Sequence, residues 1–202
     1  MTSTHLWGEC PVGTADADET QAITFALFDF LELNKDTPVA LIDIDGVVLN
    51  NNHRLHHIVE TGADGKQRPR SDPDWKAFHA AAHLDTPGVF APIVRDLIIG
   101  QYYPIFLTAR VEIWDTTRSN LVQMLSAAIQ YPIDPRFIIL RDRDSSWPAD
   151  KFKAHIVSQM IMRGIKIGVA LDDSHANCQA YRLMGIPVLR AYNHLREDAL
   201  EY

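Results

Sequence analysis

Four short apolar runs, each closed by polar or charged residues, constrain this chain more than any other feature. Ala40-Leu41-Ile42 runs into Asp43-Ile44-Asp45-Gly46-Val47-Val48, two acids one residue apart followed by a glycine. Tyr103 to Leu107 ends in Thr108-Ala109-Arg110, Phe137 to Leu140 in Arg141-Asp142, and Ile165 to Leu171 in Asp172-Asp173. A fifth run spans Pro187 to Ala191. Short continuous apolar runs bounded by turn residues read as parallel strands buried on both faces.

Helical patterns separate these runs. They extend from about Val89 to Ile99, from about Asp115 to Ile129, from Pro148 to about Met162, and from after Asp172-Asp173 to about Met184. In the Asp115 helix, Leu121, Met124, Leu125 and Ala128 share the inward face. Alternation of strand and helix predicts an α/β fold of the Rossmann type, a parallel sheet of about five strands with helices on both faces. The 202 residues suit one such domain.

Ahead of the first strand lies an acidic extension. Residues 1–38 carry seven acids against Lys35 alone, so almost all of the net charge of −7 resides there and the remainder is close to neutral. The overall pI of 5.6 therefore says little about the active face. An irregular arm, broken by Gly8, Pro11 and Gly13, leads into a helix from about Asp18 to Leu33. Its apolar face is read as Ile23, Ala26, Leu27, Phe30 and Leu31, widened by Phe25 and Phe28. The expected division is residues 1–37 as acidic arm and helix, and 38–202 as the α/β domain. No apolar run is long enough to span a bilayer and the N-terminus lacks a signal peptide's apolar core, so no membrane partner is expected. Cys10 and Cys178 form no disulfide or metal pattern, and a reduced, cytoplasmic setting is expected.

A polar stretch of about residues 50–74 follows the first acids, longer than an ordinary loop, and such loops are commonly functional. Gly62-Ala63-Asp64-Gly65 predicts a hairpin turn with Leu55, Ile58 and Val59 on one arm. With Arg54, Lys66, Arg68 and Arg70, the stretch reads as a positively charged flap beside an anionic substrate. Asp72-Pro73-Asp74 then caps a helix to about His83, where Trp75, Phe78 and His79 form either core or a platform for stacking a base.

The C-terminal ends of parallel strands share one edge of the sheet, where ligands bind. Asp43, Asp45, Asp172 and Asp173 would gather there, and so many acids cannot all stay ionised without a cation. An all-oxygen ligand set suits Mg2+. Thr108, Arg110, Arg141 and a lysine on the same edge would serve a phosphate. Lys151 and Lys153 lie on opposite faces of their helix. Lys153 shares the inward face with Ile156, Val157 and Met160, so it is the expected site lysine.

Asp43-Ile44-Asp45-Gly46-Val47-Val48, then Thr108, Lys153 and Asp172-Asp173, in that order, resemble the four motifs of the haloacid dehalogenase (HAD) phosphatase superfamily. The likeness runs from about Pro38 to Tyr192. It implies that Asp43 attacks phosphorus to form an aspartyl-phosphate, while Asp45 protonates the leaving oxygen and then activates water. Thr108 and Lys153 would hold the phosphoryl group, and Mg2+ would rest on Asp43, the backbone carbonyl of Asp45, and Asp172 or Asp173. Within the superfamily the chain is similar to the 3′-phosphatase domain of phage-type polynucleotide kinase/phosphatase. The features are Arg54, the Thr-x-Arg ending at Arg110, Asp150-Lys151-Phe152-Lys153, and Asp172-Asp173 followed by Tyr181-Arg182-Leu183-Met184-Gly185-Ile186. That likeness implies that Arg54 and Arg110 bind the substrate phosphate or its flanking backbone. The sequence departs from the pattern at Ala149, where an acid is expected, and it contains no GxxxxGK[ST] motif, so no kinase activity is expected.

Neither inter-motif gap leaves room for a large lid, so an open site is expected. It would take a nucleic-acid 3′ end, or alternatively a free nucleotide as in a nucleotidase. A phospho-acceptor domain of the receiver type also combines Asp, Thr and Lys with Mg2+, but it places its acidic pair before the acceptor Asp.

Overall fold

The computed structural model describes residues 17–65, 67–111, 118–142 and 147–192. The N-terminal arm with Cys10, the flap's Lys66 and the expected start of the Asp115 helix lie outside them. In chain order the first elements are α1 (Ala17–Leu33), β1 (Val39–Ile42), β2 (Leu49–Asn50), β3 (Val59–Thr61), β4 (Gln67–Pro69), α2 (Trp75–Ala80), β5 (Thr86–Pro87) and α3 (Ala91–Ile99). Then come β6 (Tyr103–Val111), α4 (Arg118–Ile129), β7 (Ile138–Arg141), α5 (Ala149–Met162), β8 (Ile167–Asp172), α6 (His175–Leu183) and β9 (Val188–Arg190).

The main sheet has five strands in the order β7-β6-β1-β8-β9, every neighbouring pair parallel. The chain steps outward from β1 through β6 to β7, then crosses back to β8 and β9 on the other side. β1 is therefore the switch point, and the crevice beyond its C-terminal end is where such sheets place ligands. Alternation along β1 divides the core. Val39 and Leu41 face α1, α5 and α6, together with Leu27, Phe28, Leu31, Val157, Met160 and Tyr181. Ala40 and Ile42 face α3 and α4, with Val94, Leu121, Leu125 and Ile129. Each large apolar side chain buried in these layers contributes about 1.5–3 kcal/mol relative to exposure. This is the expected α/β architecture, helices on both faces included.

Helix α1 departs from its expected face. Thr20, Thr24, Leu27, Phe28 and Leu31 are buried, whereas Ala26 is exposed and Phe25 is 40% exposed. The helix is rotated so that two threonines enter the interface, and Thr24 Oγ1 satisfies itself by donating to Thr20 O at 3.0 Å. Phe30 meets Tyr103 and Phe137 edge-on. Arg163, just beyond α5, pairs with Asp29 at 2.8 Å. The helix thus packs against the sheet, as its apolar content predicts.

The flap is larger than the 50–74 stretch and closes on itself. β2 pairs with β5, so the chain departs at Leu49 and returns at Thr86. At the return, Gly88 N donates to Val48 O at 2.7 Å, and a Cβ at Gly88 would collide with the Val47 carbonyl. Between these points β3 and β4 form the hairpin expected around Gly62 to Gly65. Leu55 is not on its arm: it belongs to a 3-10 helix, Asn52–His57, and packs with Ile58, Val59 and Phe78 in a small core of the flap's own. Asp74 caps α2 by accepting from Ala77 N at 2.9 Å, but α2 ends at Ala80 and a 3-10 turn, Ala81–Leu84, carries the chain on. No helix among the described residues is long and apolar enough to cross a membrane.

Candidate active site

β1 ends at Ile42, and the next turn presents both acids at the sheet edge. The tight path requires Gly46, whose φ of 79° lies in the left-handed region. Its N–H donates to Leu49 O at 2.8 Å, while the amides of Val48 and Leu49 return to Ile44 O. Ile44 is fully buried, so the side chains flanking it are held on a rigid turn.

Asp43 and Asp45 then part company. Asp43 Oδ1 accepts from Ile44 N at 2.8 Å and pairs with Lys153 Nζ at 2.8 Å. The same ammonium donates to Asp172 Oδ2 at 2.9 Å. Lys153 is buried within α5, whereas Lys151 is exposed. Burial opposes its charge, yet Asp172 and Asp43 outweigh that effect and hold its proton well above the ordinary lysine range. Asp172 is fixed further by Ser174 N at 2.9 Å and by Asn177 Nδ2, 3.1 Å from each carboxylate oxygen. One oxygen each from Asp43, Asp172 and Asp173 lies within 4.8 Å of the others. Burial, reinforced by Asp172, Asp173 and Asp45 and opposed by Lys153, pushes the Asp43 carboxyl up to about 8. The hard oxygen donors of three carboxylates so close together fit a small divalent cation.

Asp45 belongs to a second cluster. Its Oδ1 accepts from Asn51 Nδ2 at 3.0 Å, Arg54 Nη2 at 2.8 Å and Arg110 Nη2 at 2.7 Å, and its Oδ2 accepts from Arg110 Nε at 2.8 Å. Across the two guanidiniums sits Asp85. It accepts from Arg54 Nε and Nη2, both at 2.7 Å, and from Arg110 Nη2 at 2.8 Å. Arg54 is wholly buried, donates Nη1 to Phe78 O at 3.2 Å and lies 4.1 Å over the Phe78 ring. Arg110 differs, for its buried Nη1 has no hydrogen-bond partner.

The remaining predicted residues sit around these clusters. Thr108, 1% exposed within β6, accepts from Arg110 N at 3.2 Å through its hydroxyl oxygen, which leaves the hydroxyl hydrogen to donate elsewhere. Arg141 lies two strands from β1, at the end of β7, and donates Nη1 to Trp147 O at 3.0 Å. His79, on α2, feels Arg54 and Arg110, and these together with burial, the largest cause, hold its imidazole below the ordinary histidine range.

The structure therefore gathers Asp43, Lys153, Asp172 and Asp173 in one group and Asp45, Arg54 and Arg110 in another, with Thr108 beside Arg110. The Asp45 carboxylate is outside the three-acid group. Sequence reasoning missed Asp85, which stands before Pro87 with no motif around it. Asn177 was missed too, although Ser174 three residues earlier is an N-cap signal, and its hydroxyl does accept from Asn177 N at 3.4 Å.

No protein-family model matches the sequence, and neither does any curated protein sequence. Solved structures do match the fold. A chain in the structure of the Pnkp1/Rnl/Hen1 complex is similar over 78% of this chain and 46% of its own length, with a TM-score of 0.53 and 17% identity. A chain in the structure of the Pnkp1/Rnl/Hen1 RNA repair complex is similar over 78% and 43%, with a TM-score of 0.54 and 16% identity. This chain thus spans less than half the length of either. At such identity the likeness is one of fold, and it fits the fold implied by the resemblance to the phage-type 3′-phosphatase domain.

Proposed function

We propose that this chain is a Mg2+-dependent phosphomonoesterase that removes 3′-phosphates from nucleic-acid ends through an aspartyl-phosphate on Asp43. The observation that carries the reading is the division of labour at the turn after β1. Asp43 is braced by Lys153 beside Asp172 and Asp173, and Asp45 is held apart by two arginines. A likeness in fold to chains of an RNA repair complex supports a nucleic-acid substrate.

Asp43 Oδ1 is engaged by Lys153 and the Ile44 amide, so Oδ2 is the attacking atom. Its lone pair forms the bond to phosphorus while the bond to the substrate's 3′ oxygen breaks. That oxygen takes a proton from Asp45. Asp45 must therefore arrive protonated, and transfer of Arg110 toward the incoming phosphate frees a carboxylate oxygen to carry the proton. In the second half, water attacks phosphorus, Asp45 takes its proton, and the Asp43–phosphorus bond breaks to restore the carboxylate. Lys153, the Thr108 hydroxyl and Arg110 Nη1 neutralise charge on the transferring group. Arg54, with its donors on Asp45, Asp85 and Phe78, acts on the substrate only by positioning Asp45. Asp43, the Asp45 backbone carbonyl and Asp172 or Asp173 would hold Mg2+. Bound there, it would offset repulsion between carboxylate and phosphate.

Phosphate release from a 3′-phosphorylated oligonucleotide, with Mg2+ or with EDTA, tests this reading. Release is expected with Mg2+ alone and faster than from nucleoside monophosphates. A large preference for the mononucleotides would instead establish a nucleotidase.

A further inference from the structure

The three aromatic side chains of α2 have different surroundings. Phe78 turns inward, where it belongs to the flap's small core and carries the Arg54 guanidinium on its face. Trp75 is 53% exposed. His79, one turn further along the helix, lies beside it, with ring centres 6.2 Å apart and planes 28° from parallel. Phe78 meets both rings edge-on, at 5.8 Å and 5.6 Å. Trp75 and His79 therefore form an aromatic step braced by a buried ring. A single exposed tryptophan is ordinary on a protein surface. Two features set this one apart, its place beside the site and the character of its neighbour.

In the proposed reaction Asp45 protonates the departing 3′ oxygen, so the nucleoside leaves on the Asp45 side of the nucleophile. Arg54 ties that acid to α2, with Nη2 on Asp45 Oδ1 at 2.8 Å and Nη1 on Phe78 O at 3.2 Å. Asp74 N donates to His57 O at 2.9 Å, which joins the start of α2 to the 3-10 helix that carries Arg54. The aromatic step is thus fixed to the acid nearest the leaving group. Burial, then Arg54 and Arg110, with Arg141 acting the same way, keep the His79 imidazole uncharged at neutral pH. Its Nδ1 is buried and has no hydrogen-bond partner among the described residues. An uncharged ring is no counter-ion for a phosphate, but it offers a flat face, as the indole does. Every nucleobase has a matching π-face. We infer that Trp75 and His79 form the platform on which the base of the 3′-terminal nucleotide stacks, which makes Trp75 a specificity-determining residue. The inference rests on the nucleic-acid phosphatase reading and deepens it: the site recognises the terminal nucleoside by its base, whichever base that is.

Binding of fluorescent single-stranded oligonucleotides with a 3′-hydroxyl tests the platform without turnover. One strand carries a base on its 3′-terminal nucleotide and the other is abasic there. The abasic strand should bind about tenfold or more weakly, as loss of one stacked base predicts. Trp75→Ala, at an exposed position and checked for folding by circular dichroism, should remove most of that difference. Trp75→Phe, which keeps an aromatic face, should retain most of it. Equal binding of the two strands by the wild type overturns the platform, and so does an undiminished difference in Trp75→Ala. Equal loss in both variants would give the indole a packing role and overturn it as well. Phosphate release from the 3′-phosphorylated forms is measured in parallel. Its absence would count against the phosphatase reading alone, because the binding comparison needs no turnover.

Discussion

Arg110 grips Asp45 by both carboxylate oxygens, Nε to Oδ2 at 2.8 Å and Nη2 to Oδ1 at 2.7 Å. The pair is possible in a buried setting because Asp85 faces the two guanidiniums from the other side, its side chain wholly buried. Two acids and two arginines neutralise one another, and the flap supplies half of them. Arg54 sits near its beginning and Asp85 at its end, so the flap is anchored onto Asp45.

Asp85→Ala leaves both guanidiniums short of a counter-charge in the interior. Breaking a buried pair in this way costs about 3–5 kcal/mol. Urea unfolding should show a loss of that order, with a reduced kcat on an aryl phosphate. Wild-type stability in this variant would show that the four-residue cluster does not anchor the flap.

The two lysines of α5 provide a contrast within one helix. Lys153→Ala removes the cation shared by Asp43 and Asp172, and kcat should fall about 10²–10³-fold, as for loss of a preorganised donor to a developing anion. Lys151 is exposed, and Lys151→Ala should stay near the wild-type rate. Comparable losses from the two changes would refute the assignment.

Asp43→Asn and Asp45→Asn should fail differently on an aryl phosphate. The first removes the nucleophile and abolishes phenol release. The second leaves it in place, and an acidic phenol departs with little help, so a rapid phenol burst should precede slow phosphate release. Stopped-flow absorbance with acid quench reads both. A burst in the Asp43 variant would disprove the covalent role.

In the metal-free protein, stability should depend on pH through Asp43. Its carboxyl is pushed up to about 8 by burial, against an ordinary value of 3.8 in the unfolded chain. Between those values the folded state binds a proton that the unfolded state has released, so stability declines as pH rises from about 4 to about 8. Melting temperatures in EDTA across that range should fall, and Asp43→Asn should flatten the trend. Mg2+ binding below pH 8 should release a proton.

Much of this was legible from residues alone. Strand and helix periods specify the layers, and the positions of Asp43 and Asp172 at strand ends place them along one edge of a parallel sheet; Thr108, expected to close its strand, lies inside β6, which continues to Val111. Helical spacing alone separates Lys153 from Lys151. These are local rules of period and chain direction, and they survive folding because the buried strands have only one satisfactory arrangement. Other features depended on contacts between distant segments. The burial of Thr20 and Thr24 in place of Ala26 follows from how α1 rotates against the sheet, which its own apolar pattern does not specify.

The choice of partner for Asp45 belongs to that second kind. Two carboxylates one residue apart look equivalent in a sequence. The turn at Gly46 sends one to Lys153 and the acids of β8, and the other to Arg54, Arg110 and Asp85. Asp85 lies 40 residues from Asp45 and is brought there only when β5 pairs with β2 and closes the flap. The sequence by itself determined a sheet edge rich in acid. The tertiary structure decided which acid meets an ammonium and which meets guanidiniums, because electrostatic pairing in a buried site is settled by distances that no local pattern encodes.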